Sequence, residues 1–187
     1  MVEVGFICEG KTEFLIVTST AFKDFLSKNN LTFINAIDVT GNKNLLPKNI
    51  DVFCEELTQQ GAEVIFILSD LDLDKCVTIT KNRIGSCRNS ITIISKKEIE
   101  SWFLADSKTI SGLMTQNYFF EFPEQEIKPI ETLKEEFKLK ATRGIRNSKI
   151  KFALKMINSG FSIENAAQHP NCTSAKYFIE KLKAINS

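Results

Sequence analysis

Val64-Ile65-Phe66-Ile67-Leu68-Ser69, running into Asp70-Leu71-Asp72-Leu73-Asp74, is the stretch on which the reading of this chain turns. An uncharged run of β-branched, aromatic and aliphatic residues closed by acids predicts a buried strand that delivers carboxylates at its end. A second run of the same kind, Val4-Gly5-Phe6-Ile7-Cys8, ends in Glu9-Gly10-Lys11-Thr12-Glu13. In an open α/β sheet, side chains just past the carboxyl ends of parallel strands meet at one edge, where ligands bind. Glu9, Asp70 and Asp72 are therefore expected to converge despite their separation in sequence. Carboxylates gathered on one rim repel each other unless a cation lies between them, and oxygen-only ligands suit Mg²⁺ or Mn²⁺. Asp74 is either a further rim ligand or a helix N-cap.

Outward from these runs, the pattern alternates. Helical apolar spacing predicts a helix over 12–28, a strand over 31–39, a helix over 47–60 and a strand over 63–69. Residues 74–86 are ambiguous, a strand follows over 90–95, and a helix over 96–105. Strands alternating with helices imply an α/β fold with a parallel four-stranded sheet flanked by helices. Beyond Ser107 the pattern is helical, with helices over 129–137, 148–158 and 174–185. The aromatic stretch Tyr118-Phe119-Phe120-Glu121-Phe122-Pro123 has neither clean period, and either plugs a sheet edge or offers a docking patch. The division expected is a catalytic core over 1–106 and a helical extension over 107–187, packed as one structural unit.

Composition limits the function classes. No apolar run approaches the ~20 residues of a membrane span, and Glu3 and Glu9 interrupt any signal-peptide pattern, so a cytoplasmic, non-membrane protein is expected. Five Cys without a CxxC pair and a single His, His169, argue against zinc and for free thiols. Residues 1–120 carry 12 basic against 15 acidic side chains, whereas 121–187 carry 12 against 8. Lys138 to Lys155 contains Lys138, Lys140, Arg143, Arg146, Lys149, Lys151 and Lys155 and no acid. An acidic metal rim beside a basic flank suits a polyanion, with Lys140, Arg143, Arg146, Lys149 and Lys151 as nucleic-acid contacts.

Gly5 to Thr12 also matches the phosphate-loop pattern G-x-x-x-x-G-K-S/T. That loop needs a full strand before its first glycine, and only Met1 to Val4 stand there. Phe6-Ile7-Cys8 are strand formers, and Glu9 would set an anion where phosphates belong. The preferred register makes 5–8 strand, Glu9 a metal-rim or acid–base carboxylate, and Gly10 a tight turn.

In that register, Glu9-Gly10-Lys11-Thr12-Glu13 and Asp70-x-Asp72 resemble the Toprim fold of topoisomerases, primases and certain nucleases. Lys97-Glu98-Ile99-Glu100-Ser101-Trp102-Phe103-Leu104-Ala105-Asp106 looks like the E-x-E-x-W-x-L-A-D signature of small Toprim-like proteins of bacterial phage-defence loci, related to the OLD-type Toprim nucleases. The resemblance implies an Mg²⁺- or Mn²⁺-dependent nuclease acting in antiviral defence, restrained by a partner ATPase encoded nearby. Asp70 and Asp72 would hold metal, Glu9 would be a ligand or general base, Glu100 a further acid with Glu98 second, and Lys11 a phosphate contact. The alternatives are a Toprim-like module without turnover in an ATPase complex, and a small nucleotide-binding enzyme.

Overall fold

Four parallel strands, β1 (Val2–Cys8), β2 (Leu31–Asp38), β3 (Val64–Asp70) and β4 (Ser90–Ser95), form one sheet in the order β2-β1-β3-β4. The computed structural model describes residues 1–140 and 148–186, the side chain of Lys140 excepted. β1 pairs with β3 from Val4↔Val64 to Cys8↔Leu68, and β3 with β4 from Ile65↔Ser90 to Asp70↔Ser95. These registers end the strands at one level, so Glu9, Asp70 and Ser95 share one edge. The α/β class and the parallel sheet are as the sequence leads one to expect.

The continuous apolarity of β1 and β3 reflects burial on both faces. Val4, Phe6, Cys8, Phe66 and Leu68 face the larger core, and Ile7, Ile65 and Ile67 the smaller. Ten helices cover the sheet: α1 (Lys11–Thr18), α2 (Thr20–Lys28), α3 (Pro47–Gln59), α4 (Val77–Arg83), α5 (Glu100–Ala105), α6 (Ser107–Met114), α7 (Pro129–Lys140), α8 (Lys149–Asn158), α9 (Ile163–Ala167) and α10 (Thr173–Ala184) among the described residues. Phe137, Phe152, Phe178 and Leu182 from the later helices join Phe6, Phe66 and Trp102 in the larger core. Phe178 bridges the two parts, with its ring centroid 5.6 Å from that of Phe66 and 5.9 Å from that of Trp102. Trp102 Nε1–H also donates to Ser174 Oγ at 2.8 Å, tying α5 to α10.

The structure departs from expectation at several points. The helix expected over 12–28 breaks at Ser19, whose backbone is extended and whose hydroxyl accepts from the Phe22 N–H to start α2. The helix expected from residue 96 begins only at Glu100, because Lys97 adopts a left-handed conformation (φ 63°). Nor are all five thiols free: Cys54 on α3 and Cys87 before β4 form a disulfide, leaving Cys8, Cys76 and Cys172 unpaired. Sheet topology brings these two together across 33 residues of sequence, which spacing alone does not reveal. The aromatic stretch divides: Tyr118 is buried and Phe120 packs on the core, while Phe119 is 61% and Phe122 43% exposed. No helix among the described residues is long and apolar enough to cross a membrane.

Candidate active site at the carboxyl edge of the sheet

Each strand-end carboxylate is anchored to the neighbouring strand. The Glu9 N–H donates to Leu68 O at 3.0 Å, extending the β1–β3 ladder by one residue. Glu9 Oε2 then accepts from Ser69 Oγ at 2.5 Å and from the Asp70 N–H at 3.1 Å. Asp70 repeats the arrangement one strand further on, its Oδ1 accepting from Ser95 Oγ and from the Ile99 N–H at 2.9 Å. Glu9 is thus fixed on β3 and Asp70 on the turn after β4. These bonds use neither Glu9 Oε1 nor Asp70 Oδ2.

Two helices add buried acids. Glu13 lies in the first turn of α1, and Glu100, the first residue of α5, is wholly buried. An N-terminal helical turn favours a carboxylate, but burial opposes its charge. Burial is the main cause that pushes Glu13 up to about 8, with Glu100 and Glu9 adding repulsion. Burial likewise raises Asp70 well above the carboxylate range, helped by Glu13 and Glu100, and raises Glu9 and Glu100. The counter-charge comes from α8. Lys149 Nζ lies 2.9 Å from Glu100 Oε2 and 3.3 Å from Glu98 Oε2. Burial opposes the ammonium's charge, yet Glu100, Glu98 and Asp70 outweigh it and hold Lys149 above the ordinary lysine range. The ammonium and the Thr12 hydroxyl both work against that burial at Glu100. An open cleft of about 450 Å³ lies over this edge, lined by Glu9, Lys11, Glu13, Asp38, Asp70 and Lys149 among others.

The remaining candidates are distributed unevenly. Asp72 is half-buried in a left-handed turn (φ 50°), its N–H donating to Lys97 O at 2.9 Å, so the loops after β3 and β4 are tied together. Burial and the nearby Glu98 raise its pKa. Asp74 does not join the rim: its Oδ2 accepts from Arg83 and from Thr80 Oγ1, each at 2.8 Å, and those bonds hold its pKa down. Lys11 lines the cleft, but its ammonium sits 4.1 Å from the Phe14 ring centroid. Of the basic flank, Lys149 turns into the acids and Lys151 is exposed, while Arg143, Arg146 and the side chain of Lys140 lie outside the described residues. Gly5 to Cys8 lie within β1, which leaves no loop between Gly5 and Gly10 to cradle phosphate. Glu13 stands in the quoted Glu9-to-Glu13 motif without a role expected of it, and Asp38, Ser69 and Ser95 are not among the expected site residues. Glu13 stands one helical turn from Glu9 on the far side of a glycine, and a serine closes each of two apolar strands; those were the available signals.

The donor set is entirely oxygen, as hard divalent cations require. Among the described residues no three His, Cys, Asp or Glu side chains form a ready-made metal cage. Two anchored carboxylates are still a fitting set for Mg²⁺, which is commonly held by one or two carboxylates, waters and substrate phosphates. No protein-family model, curated protein or solved structure matches the chain.

Proposed function

We propose that this protein is a cytoplasmic, Mg²⁺- or Mn²⁺-dependent nuclease that hydrolyses phosphodiester bonds in DNA or RNA. One observation carries the reading: Glu9 and Asp70 are each fixed through a single oxygen at adjacent strand ends, over an open cleft lined by further buried acids. Scaffold-fixed carboxylates at the carboxyl edge of a parallel sheet are a ligand site in waiting. Glu9 and Asp70 would hold the ion, with Asp72 and Glu100 as outer acids. When bound, the ion supplies Lewis-acid polarisation and charge neutralisation at the phosphoryl group.

The chain's own residues supply the rest. Where Glu9 is not the ligand, its raised pKa suits it to take or return a proton at the reacting oxygen. The α1 N-terminus, with Thr12 and Lys11, lines the cleft where the phosphate backbone would lie. The motif resemblance extends the reading to antiviral defence and to an ATPase partner. A second reading, a module without turnover, draws on the Lys149 ammonium, which offsets part of the acid charge without any metal.

Nucleic-acid cleavage assayed with and without Mg²⁺ or Mn²⁺ separates the two. Wild-type protein should cut only with the ion, and Asp70→Asn and Glu9→Gln should each lose about a hundredfold or more in rate, the effect of several kcal/mol at the transition state. Undiminished cleavage by a correctly folded Asp70→Asn protein sinks the assignment. Metal binding without cleavage of any substrate favours the module.

A further inference from the structure

Lys149 breaks a local rule. It is the first residue of α8, at the positive end of the helix dipole, where a cation is disfavoured. Ser148 caps this end, its hydroxyl accepting from the Lys151 N–H. Phe152, Ala153 and Met156 lock the helix into the core, so the placement of Lys149 is set by packing rather than by chance. Its side chain is 45% exposed along its length, yet the charged tip is spent on two carboxylates, one of them wholly buried. A residue set against its own helix dipole is explained by what its ammonium touches.

Two halves of the acid cluster differ in kind. Glu9 and Asp70 are oriented by hydroxyl and amide donors, which fix a carboxylate without cancelling its charge. Glu98 and Glu100 are met by the ammonium instead, at 3.3 and 2.9 Å. The ammonium brings these two acids a full positive charge, which the hydroxyl and amide donors do not bring to Glu9 and Asp70.

Resting on the metal-dependent reading above, we propose that Lys149 is a built-in cation filling the Glu98–Glu100 half of the cluster. The protein then loads one divalent ion, at Glu9 and Asp70, and removing Lys149 opens a second divalent position at Glu98 and Glu100. Two dications beside an ammonium would repel strongly at such spacings, so the lysine and the second ion exclude each other. Lys149 is in this sense a positioning residue that sets how many ions enter.

Titration of nucleic-acid-free protein with Mn²⁺, counting bound ions by the loss of the free-ion electron paramagnetic resonance signal, tests the proposal without recourse to activity. Wild type and Lys149→Arg should bind one ion, and Lys149→Met and Lys149→Gln two. The second ion should disappear again in Lys149→Met combined with Glu100→Gln. Circular dichroism confirms that each variant is folded, and the partial exposure of the lysine leaves room for either replacement. One ion in both Lys149→Met and Lys149→Gln overturns the proposal while leaving the metal site intact. Two ions in wild type also overturn it. No bound Mn²⁺ in any of the proteins overturns both this proposal and the metal-dependent reading beneath it.

Discussion

Glu13 pays a penalty whenever it ionises inside the fold, and that penalty is measurable. Its folded pKa stands at about 8 against an ordinary value of 4.5, so between those limits the folded state holds a proton that the unfolded chain has released. Stability of the metal-free protein should therefore fall as pH rises through that window, and level off above it. Glu13 contributes no more than about 1.4 kcal/mol per pH unit to that slope. Glu9, Asp70 and Glu100 are shifted the same way and reinforce it. Thermal denaturation in chelator from pH 5 to 8.5 should show the decline in wild type, and a shallower one in Glu13→Gln. Saturating Mg²⁺ should flatten the wild-type curve, because a bound cation favours the ionised acids. An identical slope in Glu13→Gln would mean that this residue does not carry the linked proton.

Gly85 governs how the turn before β4 seats against α3, and there the packing is tight enough to predict a defect. Its N–H donates to Leu45 O at 2.8 Å, and a Cβ would run into Ile50 Cγ2 and come within 2.8 Å of Pro47 Cα. Backbone cannot yield as a side-chain tip can, so Gly85→Ala should cost about 1–3 kcal/mol and lower the melting temperature by several degrees. An unchanged melting curve would show that the turn relaxes freely. The same elements show what sequence can and cannot report. β1 and β3 were legible because a strand buried on both faces is apolar over most of its length, and the acids after both announced the edge. The break at Ser19 was not, because the apolar spacing from Phe14 to Phe25 runs straight through it, and only a hydroxyl cap creates the new start. The late start of α5 goes with the left-handed Lys97, whose carbonyl accepts from the Asp72 N–H, a tertiary bond with no local signature. Glu9, Asp70 and Glu100 could be named from their positions, whereas Lys149 reads in its charge run only as one more nucleic-acid contact, and its place among the acids has no signal there. A run of cations reads alike whether it faces solvent or turns, as here, into an acid cluster.

Whether the molecule as a whole is restrained by a partner turns on the surface left after its core is complete. The larger core runs without interruption from the sheet into the later helices, so the segment around Phe119 has no further interior to enter. Phe119 stacks on His169 at 4.7 Å between ring centroids, which orders its ring while leaving it open to solvent. With Phe122 and with Ile127, 64% exposed, it gives this region an apolar surface of the kind that larger proteins cover. On the nuclease reading proposed above, restraint is required, and the resemblance to defence loci implies an ATPase as its source. Co-purification with an ATPase encoded beside this chain should therefore depend on the patch. Phe119→Asp with Phe122→Asp should cut recovery about tenfold or more while leaving Mg²⁺-dependent cleavage and the melting temperature close to wild type, because neither ring fills the core. Phe120→Asp is the internal contrast: its side chain packs against the core, so it should lower the melting temperature as well. Equal recovery of the wild type and the folded double variant would remove this surface from the interface and shift the search for the partner's footprint to the basic stretch ahead of α8.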